Sequence, residues 1–244
     1  MKLTFEQINE FNTNGFLLLP QFADHKLCDE IRQLCEKHLK QQTEPIESEE
    51  EYLQKKSASK TVRRLRQAYQ REPLFAQWMT NPQMRPVLEQ LLGEKGQLLL
   101  AHHNSIMTKL PHLSSVTSWH QDLRYWHYEN DNLVSVWLSL GDEYLENGLL
   151  EFIPGTHKMK FSPEQFDKKL SFRDDLPQNQ PLISKRVHFD LHKGDVVLFH
   201  AKTLHAASKN NTDKAKISFV YSVRALSNKP IAGTRSDFNE VELS

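Results

Sequence analysis

The feature that most constrains this chain is a change of texture near Gly96. From there to about residue 226 it becomes a series of short runs rich in β-branched and aromatic residues: "QLLLAHHNSIMTKL", "LVSVWLSLGDEY", "GLLEFIP", "RVHFDL", "GDVVLFHA" and "KISFVYSVRA". Turn formers punctuate them, among them Asn147-Gly148, Pro154-Gly155 and Lys193-Gly194-Asp195. Short strands at this spacing predict an all-β sandwich or barrel. Before Gly96 the pattern is mainly helical. Thr4 and Gln7 have capping-box spacing for a helix through Phe11, and "FLLL" after Gly15 reads as a buried strand. Asp24 can cap a helix in which Leu27, Ile31 and Leu34 recur at helical spacing. Further helical patterns are expected at about 60–69 and 73–93, and the polar, charge-blocked segment 43–60 is expected to be a loop with at most a helical turn. The expectation is a single domain, 1–244, with a helical region over about 1–95 packed on one side of a β core over about 96–226.

Charge narrows the partners. The 31 basic and 31 acidic residues cancel and form no long basic stripe, which argues against nucleic acid and fits a small-molecule substrate. No apolar run is long enough to span a bilayer, and "MKLTFEQINEF" lacks the apolar core and cleavage site of a secretory leader. Cys28 and Cys35 lie about two turns apart on one predicted helix, about 10 Å, too far for a disulfide within it. A reduced, cytoplasmic protein is expected. Nothing in the pattern sets an oligomeric state.

"SWHQDLRYW" places His120 and Asp122 two residues apart. On a strand, residues i and i+2 share a face, so both could reach one ion while Gln121 points away. With 12 histidines in the chain, one His-x-Asp match is weak by itself. A third ligand could come from His205 or His200, both in "GDVVLFHAKTLHAASKN". Two imidazoles and one carboxylate leave positions open at the metal, the arrangement of non-haem Fe(II) oxygenases, whereas a structural zinc site would want four protein ligands. A hydrolytic zinc centre stays possible on the same three ligands.

Four segments in order resemble the phytanoyl-CoA dioxygenase family of Fe(II)/2-oxoglutarate oxygenases. They are "WHQDLRYW" (119–126), "ENGLLEFIPGTHK" (146–158), "KGDVVLFHAKTLHAAS" (193–208) and "NNTDKAKISFVY" (210–221), and "NGFLLLP" near the start is also similar. The resemblance implies a double-stranded β-helix, a cupin-like jelly roll buttressed by the N-terminal helices. It implies Fe(II) held by His120, Asp122 and His205, with 2-oxoglutarate and O2 as co-substrates. The family's 2-oxoglutarate arginine, eleven residues beyond the distal histidine, is replaced by Lys216. An ammonium is a flexible point charge and cannot form the guanidinium's paired hydrogen bonds. Lys216 with Ser218 on the same strand face is the first candidate for the distal carboxylate, and Arg224, at the same parity further along, is the alternative. Trp137, Met107 and Lys109 match strand positions that line the family's co-substrate pocket.

The resemblance further implies hydroxylation of a small metabolite with release of succinate and CO2. Halogenating relatives carry a small residue where this chain has Asp122, so halogenation is not expected. Segments 43–60, 123–133 and 158–186 are expected to shape the substrate pocket, with Arg124, Tyr125 and Trp126 beside the metal. Two other readings stand: a metal-holding jelly-roll module for binding or sensing without 2-oxoglutarate turnover, and a metal-dependent hydrolase or isomerase. His102, His103, His112 and His127 are given no role, and His157 is read as belonging to a structural turn.

Overall fold

The computed structural model describes residues 1–54 and 61–243. In chain order the strands are β1 (Phe16–Leu19), β2 (Ile46–Ser48), β3 (Val62–Arg66), β4 (Gly96–Leu99), β5 (Asn104–Lys109), β6 (Thr117–His120), β7 (Leu133–Ser139), β8 (Leu150–Phe152), β9 (Val187–His188), β10 (Val196–His200), β11 (His205–Ala207), β12 (Lys216–Ala225) and β13 (Glu240–Glu242). The helices are α1 (Phe5–Asn14), α2 (His25–Gln41), α3 (Glu49–Leu53), α4 (Ala68–Arg71), α5 (Pro73–Met79), α6 (Arg85–Leu92) and α7 (Gln180–Ile183).

Local chemistry sets the N-terminal elements. Thr4 and Gln7 form a reciprocal capping box on α1, and Gly15 ends it at φ 85. A side chain at Gly15 would collide with His157 and Thr203, so the backbone can enter β1 there only without a Cβ. Asp24 caps α2 by accepting from the backbone N–H groups of Lys26 and Leu27. Cys28, Ile31, Cys35 and His38 form the buried face of α2, and both cysteines are free.

Two antiparallel sheets make the body. The larger runs β1-β10-β7-β12-β5-β3-β2, with β4 and β13 alongside β12; the smaller is β6-β11-β8-β9. Alternation along the large sheet sorts its side chains. Ile217, Phe219, Tyr221 and Val223 of β12, with Val134, Val136 and Leu138 of β7, pack in the core shared with the helices. Val220, Trp137, Val197 and Phe199 turn the other way and meet Leu150, Phe152 and Ala207 of the small sheet. By the same parity Lys216 and Ser218 face the space between the sheets. This is a double-stranded β-helix, a jelly roll with helices on one face. No helix among the described residues is long and apolar enough to cross a membrane.

Several local expectations fail. The helix expected at about 60–69 is replaced over Val62–Arg66 by β3, which extends the large sheet by pairing with β5, and only the short α4 from Ala68 is helical. The alternation Arg64-Leu65-Arg66, with Leu65 buried, is a strand period read as helical. Segment 43–60 contains β2 and α3, whereas residues 55–60 lie outside the described residues. The sheet also extends past residue 226, because β13 covers the outer edge of β4.

Candidate metal centre

His120 ends β6 and His205 opens β11, and these two residues are direct partners across the small sheet. Their rings lie 4.2 Å apart. Each imidazole is oriented from behind. His120 Nδ1 is 2.8 Å from the Ser118 carbonyl and His205 Nδ1 is 3.0 Å from the Thr203 carbonyl. A carbonyl can only accept, so each Nδ1 carries the proton and each Nε2 lone pair is left to face an ion. Asp122 reaches the same point by a route the sequence did not suggest. The strand stops at His120, and Asp122 begins a 3-10 turn through Tyr125. Asp122 Oδ1 lies 3.6 Å from His120 Nε2 and 3.8 Å from His205 Nε2. Gln121 does point away, donating through Nε2 to the Lys202 carbonyl and accepting from Arg124 Nε.

The donor set fits a divalent cation. One atom from each of His120, Asp122 and His205 lies within 4.8 Å of the others. Asp122 is 3% exposed, yet its Oδ2 has no hydrogen-bond partner, a costly arrangement unless a cation satisfies it. Burial works to raise the Asp122 pKa, but His103, His205 and His120 outweigh it and hold the carboxyl well below the usual range. Burial, reinforced by His120, pushes His205 down to about 4, so its ring is neutral as a ligand must be. His200 is not a ligand. It ends β10 against His157, ring centroids 5.3 Å apart, and its Nδ1 accepts from Lys202 N.

His103, given no role from sequence, sits at this centre. Its Nε2 is 3.4 Å from Asp122 Oδ1 and its ring meets Trp126 edge-on at 5.1 Å. Its only sequence signal was the pair His102-His103 at the head of β5, which is not distinctive.

Two cavities adjoin the centre. An open cleft of about 700 Å³ lies over His120 and Asp122, with Tyr52, Arg64, Tyr125, Trp126 and Arg235 among its walls. A smaller inner cavity of about 50 Å³ runs between the sheets behind His120 and His205. Met107, Lys109, Trp137 and Lys216 line it, together with Arg63.

Lys216 is engaged by an acid that no sequence motif marks. Its Nζ lies 2.9 Å from Glu143 Oε2, whose other oxygen accepts from Ser218 Oγ at 2.7 Å. Trp137 Nε1 donates to the same carboxylate at 3.2 Å. Glu143 lies between β7 and the Asn147-Gly148 turn, and nothing in "GDEYLENG" distinguishes it from a surface acid.

Two residues expected at the site lie apart from both cavities. Arg224 lines neither cavity; it pairs with Glu240 at 2.5 Å and donates to the carbonyls of Ala225 and Leu226. Parity was right, but the strand carries Arg224 eight residues beyond Lys216, to the far end of the sheet, where β13 supplies its acid. Arg124 also lines neither cavity, because its guanidinium stacks 3.2 Å over the Phe166 ring. Tyr125 and Trp126 do line the cleft, with the Tyr125 hydroxyl donating to the Lys169 carbonyl and Trp126 stacked on His102.

The phytanoyl-CoA dioxygenase (PhyH) family model matches residues 11–218. A probable phytanoyl-CoA dioxygenase of Caenorhabditis elegans is 25% identical over 225 residues, covering 86% of this chain and 72% of the relative. The human peroxisomal phytanoyl-CoA dioxygenase is 27% identical over 230 residues, and the match covers 86% of this chain but 65% of the human protein. Among solved structures, the non-heme alpha-ketoglutarate-dependent carbocyclase SnoK from nogalamycin biosynthesis superposes with TM-score 0.77 at 21% identity, covering 99% and 95% of the two chains. EctD from S. alaskensis with bound Fe gives TM-score 0.78 at 18% identity, covering 94% and 79%. At these identities the two structures establish the shared fold.

Proposed function

The chain belongs to the phytanoyl-CoA dioxygenase family of Fe(II)/2-oxoglutarate-dependent oxygenases, and from that premise we propose that it hydroxylates an unactivated C–H bond of a small molecule, releasing succinate and CO2. The observation that carries this reading is the convergence of His120, Asp122 and His205 with one Asp122 oxygen buried and unpartnered. Iron bound there would activate O2, the oxidant that couples decarboxylation of the 2-oxo acid to hydroxylation of the substrate. The protein's role is positioning. Ser118 and Thr203 fix the imidazoles through their carbonyls, and His103 braces Asp122. The inner cavity offers cations and an indole to the co-substrate, and the cleft takes the substrate over the open side of the centre. Asp122 fills the ligand position that a halogenating enzyme would leave for chloride, which favours hydroxylation.

The cleft supports a substrate with an anionic group beside an apolar portion. Lys169 and Arg235 stand at its rim, while Tyr125 and Trp126 supply aromatic surface near the metal. The N-terminal helical region and the β core would work as one catalytic unit, since α2, α5 and α6 share the apolar core with the large sheet. Free, buried Cys28 and Cys35 support a reducing compartment such as the cytoplasm.

The test is anaerobic addition of Fe(II) and 2-oxoglutarate, followed by O2 and a panel of anionic metabolites. A weak visible charge-transfer band and succinate release are expected. Absence of both overturns the oxygenase reading. A second reading, a metal-holding module with no 2-oxoglutarate turnover, draws on the Glu143 carboxylate seated on Lys216, and the same titration separates the two.

A further inference from the structure

The inner cavity contains a carboxylate seat that the chain itself fills. Glu143 receives Lys216 Nζ, Ser218 Oγ and Trp137 Nε1, the groups expected from the sequence to meet the 2-oxoglutarate. The Glu143 side chain is 0% exposed and that of Lys216 is 3% exposed. An incoming carboxylate could take this seat only by displacing Glu143, stranding a second buried anion without its partners.

One strand away the charge balance is reversed. Lys109 on β5 is the register partner of Lys216 on β12, so both side chains leave the sheet on the same face. Lys109 is 7% exposed and lines the same cavity as His120 and His205. An ammonium has three N–H donors, but the described residues give Lys109 one hydrogen bond, to the Ser115 carbonyl at 2.6 Å. No carboxylate among the described residues forms an ion pair with it. The nearby Glu49 is already engaged by Arg63 at 3.6 Å and by the Ser115 hydroxyl. Among the described residues, Lys109 is therefore a buried cation beside a cavity, with two donors free and no carboxylate in contact.

We infer that Lys109 holds the distal carboxylate of the 2-oxo acid, while the Glu143–Lys216 pair forms an electrically neutral floor that limits how deep that carboxylate can sit. This rests on the oxygenase reading, since it presumes a 2-oxo acid chelated at the His120–Asp122–His205 centre. It changes the distal contact from the expected strand to its neighbour and makes Glu143 a determinant of co-substrate length.

The test is anaerobic titration of Fe(II)-loaded protein with 2-oxoglutarate and with pyruvate, which has no distal carboxylate, following the visible band. Wild type should bind 2-oxoglutarate more tightly than pyruvate. K109M should weaken 2-oxoglutarate by about 10- to 100-fold, the worth of a charge-assisted hydrogen bond, and leave pyruvate unchanged. Because no described carboxylate touches Lys109 and Glu49 keeps Arg63, K109M breaks no ion pair among the described residues. The double variant E143L/K216M, which removes the pair together, should keep the preference for 2-oxoglutarate over pyruvate that K109M loses. Loss of 2-oxoglutarate binding in E143L/K216M with retention in K109M overturns the inference and restores Lys216 as the anchor. If the double variant does not fold, the ratio of 2-oxoglutarate to pyruvate affinity in K109M and wild type decides alone. An unchanged ratio overturns the inference while the oxygenase reading stands. A wild-type protein that binds neither acid overturns both.

Discussion

Lys216 Nζ and Glu143 Oε2 are 2.9 Å apart in a region of the inter-sheet space almost closed to water. The contact joins β12 to the segment that follows β7, and it neutralises the Lys216 ammonium. A buried pair of this kind contributes little net stability, but either member left alone is expensive.

E143A should therefore destabilise the protein by about 3–5 kcal/mol, the usual cost of stranding a buried charge. E143L/K216M should recover most of that loss. Urea unfolding of the two variants and wild type makes the comparison; equal stability of E143A and wild type would mean that the pair is solvated.

D122A removes the one carboxylate that the described residues give the metal centre. Iron bound per chain and succinate release should both collapse, and a far-UV circular dichroism spectrum like that of wild type would show that the fold persists. Full hydroxylation with unchanged iron content would refute the ligand assignment.

H103A leaves all three ligands in place and removes the ring 3.4 Å from Asp122 Oδ1. Losing such an outer contact typically costs about 10- to 100-fold in metal affinity. Competition with a coloured chelator measures it, and an affinity equal to wild type would reduce His103 to packing against Trp126.

Binding of 2-oxoglutarate should depend on pH through Lys109. Burial, then the charges of Arg63 and Lys216, lowers its pKa to about 7, with Glu49 opposing. The ammonium form is the one that attracts a carboxylate. Affinity should be level below pH 7 and fall as pH rises above it, approaching about tenfold per unit. In K109M the decline should vanish, and spectroscopic titrations from pH 6 to 9 would show it.

Stability of the metal-free protein should fall on acidification. Burial, with help from His157, brings His200 to about 4; burial, with help from Arg235, brings His102 to about 3. Both titrate near 6.5 when unfolded. Between those values the unfolded chain binds more protons, so unfolding free energy rises with pH and is lost as pH drops below about 6.5. Thermal melts at pH 7 and pH 5 should show a lower Tm at pH 5. An equal Tm would contradict the burial of these rings.

By itself the sequence determined whatever is local or periodic. The capping box at Thr4 and Gln7, the cap at Asp24, the alternation of β7, β10 and β12 and the family's motif order are carried by neighbouring residues, because backbone geometry repeats over two to four positions. The ligands His120, Asp122 and His205 were legible through the order of the family-like motifs and not through periodicity, since Asp122 leaves the strand for a 3-10 turn. Where two periods compete over a few residues the pattern misled, as at Val62–Arg66, whose strand pairing depends on β5 some forty residues away. Tertiary structure alone decided which charges share a cavity. That Glu143 meets Lys216 across 73 positions, that Arg224 is taken by Glu240, and that Lys109 has no acid of its own among the described residues follow from strand register and burial. A formal charge is written in the sequence, but its partner and its desolvation are set by packing, and those govern what it can bind.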